Sequence, residues 1–65
     1  MITIVDQVAV KNYIVLFLSE SLPNRAYNTL LIDGVEYKPE IVYDLDASIA
    51  IIAEGDFIGK EIKFK

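Results

Sequence analysis

The sequence predicts an all-β protein, a small and partly open antiparallel barrel of five or six strands. Isoleucine, valine, tyrosine and phenylalanine dominate its periodic segments, and these side chains fit a pleated sheet better than a helix. Turn signals recur roughly every 8 to 12 residues, the spacing expected of a small barrel or sandwich. The chain has 65 residues, enough for one core, so we expect residues 1–65 to form a single domain.

The N-terminal segment, "MITIVDQVAV", is predicted to be the first strand. Ile2 and Ile4 alternate with Thr3, which is the period-two pattern of a strand. Asp6 and Gln7 then interrupt the apolar run. This interruption predicts either a β-bulge or a sheet edge protected from stray pairing.

The next segment, "YIVLFLS", is predicted to be the second strand. Lys11 and Asn12 precede it and favour a two-residue connection in which Asn12 adopts a positive φ. Because the apolar run is continuous, we expect its second face to be buried too, within the chain or against another subunit. A helix over 13–22 is the competing interpretation, although the β-branched and aromatic start of the segment disfavours it.

The middle of the chain contains the clearest turn signal. Residues 20–28, "ESLPNRAYN", are predicted to form a long loop or one helical turn. In "TLLIDGVEYK", Asp33 and Gly34 lie between two β-rich arms, which predicts a hairpin with a type I′ turn. Pro39 ends the second arm because proline cannot donate a hydrogen bond to a neighbouring strand.

The remaining segments complete the predicted barrel. "IVYDL" is a short strand, and residues 44–48 are a turn or a short helical turn. "SIAIIAE" is a strand, and in "KEIKFK" Ile62 and Phe64 point to one side of a last strand. At this length a partly open barrel of SH3-like size fits better than a two-sheet immunoglobulin sandwich.

Composition limits how such a small domain is stabilised. The chain contains no cysteine and no histidine, which excludes disulfides and the usual zinc ligand sets. Small domains without such cross-links depend on dense packing or on a partner subunit. Because 54% of the residues are hydrophobic, we expect a very well filled core, self-association, or both.

Charge and hydropathy exclude other classes. The formal net charge is -4, so we expect no binding to a nucleic-acid phosphate backbone. The longest apolar run is "YIVLFL", far shorter than the roughly 20 residues of a membrane-spanning helix. We therefore expect no membrane insertion, and the cytoplasm is the expected compartment.

Two near-motifs are interpreted as turns. "EGDFIGK" resembles a phosphate-binding loop, but its glycines, Gly55 and Gly59, are one residue too close and Glu61 replaces the required hydroxyl. Asp44 and Asp46 begin like a calcium loop, but Ile49 stands where that loop needs glycine. We therefore expect no nucleotide, no metal and no other cofactor.

Catalytic groups are scarce. Histidine and cysteine are absent, and the serines lie in no recognised nucleophile context. A barrel of this size also offers little concavity for an active site. We expect the protein not to be an enzyme, and a small carboxylate-based enzyme remains the least favoured alternative.

Tyrosines and acidic residues are the candidate partner-binding groups. Tyrosine is enriched in protein interfaces, and neighbouring carboxylates would select a basic ligand. The predicted function is a non-enzymatic interaction or assembly module that self-associates or docks on another protein. The alternative is an acidic decoy that binds a basic partner. The candidate residues are Tyr13, Tyr27, Tyr37, Tyr43, Glu36, Glu40, Asp44 and Asp46.

Overall fold

A computed structural model describes residues 1–23, 27–43 and 47–65. All the regular elements in these ranges are strands, which confirms the all-β prediction. Seven strands form, one in each of the seven segments interpreted above as strands or hairpin arms, so the expected count of five or six was too low. They are β1 (Ile2–Val10), β2 (Tyr13–Leu18), β3 (Leu30–Ile32), β4 (Val35–Tyr37), β5 (Ile41–Tyr43), β6 (Ser48–Ile52) and β7 (Glu61–Phe64).

The strands form one antiparallel sheet in the order β4-β3-β7-β1-β2-β6-β5. Its two edge strands, β4 and β5, are consecutive in the chain and are joined by residues 38–40. A linker of this length spans at most roughly 14 Å, so the two edges of the sheet stay close to each other. The sheet is therefore curled but not closed, as the predicted partly open barrel requires.

The start of β1 and its second part belong to different halves of the sheet. Ile4 pairs with Leu18 and Asp6 with Phe17, so Val5 is an extra residue in β1. This confirms the predicted bulge. A bulge bends its strand and increases its twist. We call β7, β3, β4 and the start of β1 the β7 half, and β2, β6, β5 and the end of β1 the β6 half.

The core lies inside the curled sheet. Alternate residues of β2 are buried, whereas Tyr13, Val15 and Phe17 between them are half-buried, so the helix interpretation of 13–22 is wrong. In β6, Ile49 and Ile51 are both fully buried. The buried apolar cluster consists of Ile4, Ile14, Leu16, Leu18, Leu30, Ile32, Ile49, Ile51, Phe57 and Ile62.

The turns follow the predictions in part. Asp33 and Gly34 have φ values of 55° and 79°, as a type I′ turn requires. At the β1–β2 turn, however, Lys11 has the positive φ of 57° and Asn12 does not. The prediction for Asn12 was wrong because two-residue hairpin turns need a positive φ at their first central position, which Lys11 occupies.

The predicted helical turns near 20–28 and 44–48 do not appear in the described parts of those segments. Their centres, 24–26 and 44–46, lie outside the described residues. Across the described ranges, the structure contains no helix long and apolar enough to cross a membrane.

The segment "EGDFIGK" closes one end of the core with Phe57, which is 5% exposed. Gln7 holds it in place: its Oε1 accepts a hydrogen bond from the Phe57 N–H at 2.7 Å, and its Nε2 donates to the Gly55 carbonyl at 2.9 Å. The N–H groups of Gly59 and Lys60 donate to the carbonyls of Ile4 and Phe57. These N–H groups, which a phosphate-binding loop would direct at its ligand, are engaged by the chain itself.

Replacing Gly59 with valine is expected to lower the free energy of unfolding by about 1–3 kcal/mol, because its φ of 89° is strained for a β-branched residue. An added Cβ at Gly59 meets no atom within 4 Å, so backbone conformation is the cause. Urea denaturation followed by circular dichroism measures the change. Gly59→Ala is the control for the size of the added side chain and should lower the free energy of unfolding by less than Gly59→Val does. A valine variant as stable as the wild type would contradict the explanation.

Candidate functional site

The outer face of the β6 half is almost entirely apolar. Strand register places its side chains in rows that cross β1, β2, β6 and β5, on the side opposite the core. We call this surface the apolar face. Its rows are Val10, Tyr13 and Ile52; then Val8, Val15, Ala50 and Ile41; then Asp6, Phe17, Ser48 and Tyr43.

Several side chains of the apolar face are well exposed. Ile52 is 57% exposed, and Val8 and Val10 are each 47% exposed. Ile41 and Tyr43, on the edge strand β5, are each 41% exposed. Together these five side chains expose on the order of 400 Å² of largely apolar surface, which is in the range of functional patches on small proteins.

The apolar face also has a shallow hollow. Ser48 and Ala50 of β6 are small and are only 2% and 1% exposed. Beside Ser48 lies a hollow of about 160 Å³, bordered by Val15, Phe17 and Tyr43. The surface therefore combines a projecting side chain, Ile52, with a depression on the same strand.

The outer face of the β7 half has the opposite character. There the outward positions are Thr3 on β1, Glu61 and Lys63 on β7, Leu31 on β3 and Glu36 on β4. Charged side chains dominate, as expected for a sheet face in water. One chain thus builds a solvated outer face on one half of its sheet and an apolar one on the other.

The four candidate tyrosines do not form one surface. Tyr13 and Tyr43 lie on the apolar face. Tyr27 packs edge-on against Phe64 with ring centroids 4.7 Å apart. Tyr37 packs edge-on against the buried ring of Phe57, at 5.7 Å. Tyr13 and Tyr43 therefore lie on an outer surface of the sheet, whereas Tyr27 and Tyr37 pack against other aromatic side chains of the chain.

The candidate acidic residues are also divided. Glu36 accepts a hydrogen bond from Lys65 Nζ at 3.1 Å. Glu40 precedes β5, and its N–H donates to the Ala50 carbonyl at 2.9 Å. Asp44 and Asp46 lie outside the described residues. The acidic-decoy hypothesis rests on free carboxylates, and one of its four candidate acids is already paired with a lysine of the chain.

The sequence did not identify the aliphatic members of the apolar face. Val8, Val10, Ile41 and Ile52 lie in strands that carry apolar residues at both alternating positions. The prediction of a second covered face used this double pattern in β2 alone. Applied to "VAV", "IVY" and "SIAII" as well, it would have indicated that neighbouring strands share a second apolar face.

An ion pair joins the β3–β4 turn to the loop that carries Phe57. Lys60 Nζ lies 2.8 Å from Asp33 Oδ2 and 5.8 Å from the centre of the Phe57 ring. The hydrogen bond and the charge of Asp33 raise the pKa of Lys60 above its ordinary value of 10.5. The pair therefore helps to hold the loop over the core.

Replacing Asp33 with asparagine should remove this charge while keeping a residue suited to the left-handed turn. Because the folded pKa of Lys60 is raised, the pair stabilises fully from neutral pH up to pH 10.5 and its contribution is lost as the pH rises through the folded pKa. We expect a small stability difference between wild type and variant at neutral pH, measured by urea denaturation, that disappears at strongly alkaline pH. A pH-independent difference would contradict the assignment.

A larger concavity, of about 490 Å³, lies beside the β1–β2 turn and is open to solvent. Gln7 and Glu54 line it together with Ala9 and Ile14. Gln7 already uses both of its side-chain groups to hold the loop around Phe57. Within residues 1–23, 27–43 and 47–65, no three side chains of metal-ligand type come together. The apolar face is therefore the strongest candidate for a functional surface among the described residues.

Comparison of the chain with protein-family models, with curated proteins and with solved structures found no match.

Proposed function

We propose that this chain is a non-enzymatic protein-interaction module that binds its partner through the apolar face. The observation that carries the proposal is the contrast between the two outer faces of one sheet. Water contacts both faces in the isolated chain, yet among the described residues the face of the β7 half carries three charged side chains whereas the apolar face carries one, Asp6. A large exposed apolar patch with a polar border is typical of a protein-binding surface.

The composition of the apolar face favours a protein partner. Asp6 is its one charged side chain among the described residues, so charge would not provide most of the affinity. Burial of roughly 400 Å² of apolar surface would contribute on the order of 10 kcal/mol before the entropic cost of association is subtracted. Tyr13 and Tyr43 add aromatic contacts of a kind that is enriched in protein interfaces. The cytoplasm remains the expected compartment.

A matched pair of substitutions tests this function. Val8 lies on the apolar face and is 47% exposed, whereas Val35 lies on edge strand β4 and is 50% exposed. We expect Val8→Lys to abolish binding to the partner and Val35→Lys to preserve it, because a lysine buried in an apolar interface lacks a counter-charge.

The measurement is capture of bound protein from native cell lysate by the immobilised chain, with circular dichroism to show that each variant remains folded. A second copy of the chain counts as a captured partner. Capture that survives Val8→Lys would place the binding surface elsewhere, and the absence of any bound protein would refute the function.

A further inference from the structure

We infer that the partner is a second copy of this chain, packed face to face on the apolar face around a two-fold axis. The axis lies between the two sheets, perpendicular to the strands, at the level of Val15 and Ala50. This inference rests on the function proposed above and specifies its partner. Face-to-face packing of two sheets about 10 Å apart is the usual arrangement of a β-sandwich core.

The shape of β6 favours this arrangement. On the outer side of β6, Ile52 projects at one end, Ser48 lies beside the hollow at the other, and Ala50 lies midway. A two-fold axis level with Ala50 exchanges the two ends of the strand. It therefore places Ile52 of each copy over the hollow beside Ser48 of the other copy. A two-fold interface must be self-complementary in this way.

The charges along β1 agree with the same axis. Asp6 lies on one side of Val8, and Lys11 follows Val10 on the other side. Rotation around the axis brings Lys11 of each copy towards Asp6 of the other, which forms two equivalent ion pairs at the border of the interface. Asp6, the one carboxylate of this face among the described residues, would thus gain a counter-charge that its β-strand partner Phe17 does not supply.

The area is sufficient for a modest dimer. Two copies that each cover roughly 400 Å² of exposed side chain bury on the order of 800 Å² in total, below the roughly 1,200 Å² of stable specific interfaces and in the range of weak ones. We therefore expect a dissociation constant of roughly micromolar order. Such a dimer would also complete the burial of β2, whose outward residues are half-buried in one copy.

Sedimentation equilibrium of the purified full chain tests the dimer. We expect a mass that approaches twice the 7.3 kDa of the chain at high micromolar concentration. Val8→Lys should raise the dissociation constant at least about 100-fold, because symmetry places two unpaired lysines in the interface. Val35→Lys should leave it unchanged. A wild type that stays monomeric, or a dimer that only Val35→Lys weakens, would overturn the inference.

Reversing the charges of Lys11 and Asp6 tests the position of the two-fold axis. Lys11→Glu and Asp6→Lys should each weaken the dimer about tenfold, since each creates two like-charge contacts. In an equimolar mixture, the mixed dimer would pair opposite charges at both positions and recover wild-type affinity. Asp6 Oδ1 also accepts a hydrogen bond from the Gln7 N–H at 2.8 Å, so Asp6→Asn, which keeps an acceptor, is the control. If the mixed dimer had no higher affinity than the dimer of either variant alone, the proposed position of the axis would be wrong.

The two proposals fail in different ways. A wild type that is monomeric but captures another protein through Val8 would refute the second copy and leave the interaction module standing. A chain that neither self-associates nor captures a protein would refute both.

Discussion

Replacing Phe57 with alanine is expected to lower the free energy of unfolding by about 3–5 kcal/mol, which would unfold much of the population of so small a domain. Phe57 is the one member of the described core cluster that lies outside a strand. Its ring is 5% exposed and packs edge-on against Tyr37. Alanine would leave a cavity at the open end of the barrel, where the surrounding sheet cannot collapse to fill it.

The neighbouring residue provides the control for Phe57. Ile58 is 49% exposed, so Ile58→Ala removes apolar atoms from the same loop at little cost, below about 1 kcal/mol. Urea denaturation followed by far-ultraviolet circular dichroism measures both variants. Equal losses for the two variants would show that Phe57 does not complete the core as the structure indicates.

Replacing Gln7 with methionine should lower the free energy of unfolding by about 2–3 kcal/mol. Methionine keeps the length of the side chain but removes the acceptor of the Phe57 N–H and the donor to the Gly55 carbonyl. Each of these backbone groups then needs water or remains unpaired, and the Phe57 N–H lies in a partly buried position. The loop should close less tightly over the core.

A double-mutant cycle separates this effect from a general weakening of β1. Gln7 positions the loop that inserts Phe57 into the core. Gln7→Met should therefore lower the free energy of unfolding by less in a Phe57→Leu background than in the wild type. Chemical denaturation of the four proteins gives the coupling free energy. Strictly additive losses would mean that Gln7 and Phe57 stabilise the protein independently.

Much of the fold could be predicted because its signals are local. Asp33 and Gly34 favour a type I′ turn in almost any β context, and the structure has that turn. The interruption at Asp6 marked the bulge, which lies at Val5. Asn12 lacks the positive φ that its residue preference predicts, because the two-residue turn requires a positive φ one residue earlier, at Lys11.

The candidate surface was predicted only in part. The continuous apolar run of β2 indicated that a second face needed covering, and Tyr13 lies on that face. All four tyrosines lie at segment edges or next to predicted turns in the sequence, and all four were predicted to contact a partner. Proximity to a turn, however, does not specify on which side of a sheet a side chain lies, and Tyr37 is turned towards Phe57.

The all-β class, the main turn and the absence of cysteine and histidine chemistry follow from the sequence, since each depends on composition or on residues adjacent in the chain. The tertiary structure alone decided which of two apolar faces became the core. In β2 both alternating positions are apolar, and in β6 Ala50 and Ile52 alternate with Ile49 and Ile51, so an apolar pattern alone does not choose between the faces. Burial of Ile49 and Ile51 follows from the curl of the sheet and from the loop that inserts Phe57. The same long-range contacts leave Val8 and Ile52 facing water.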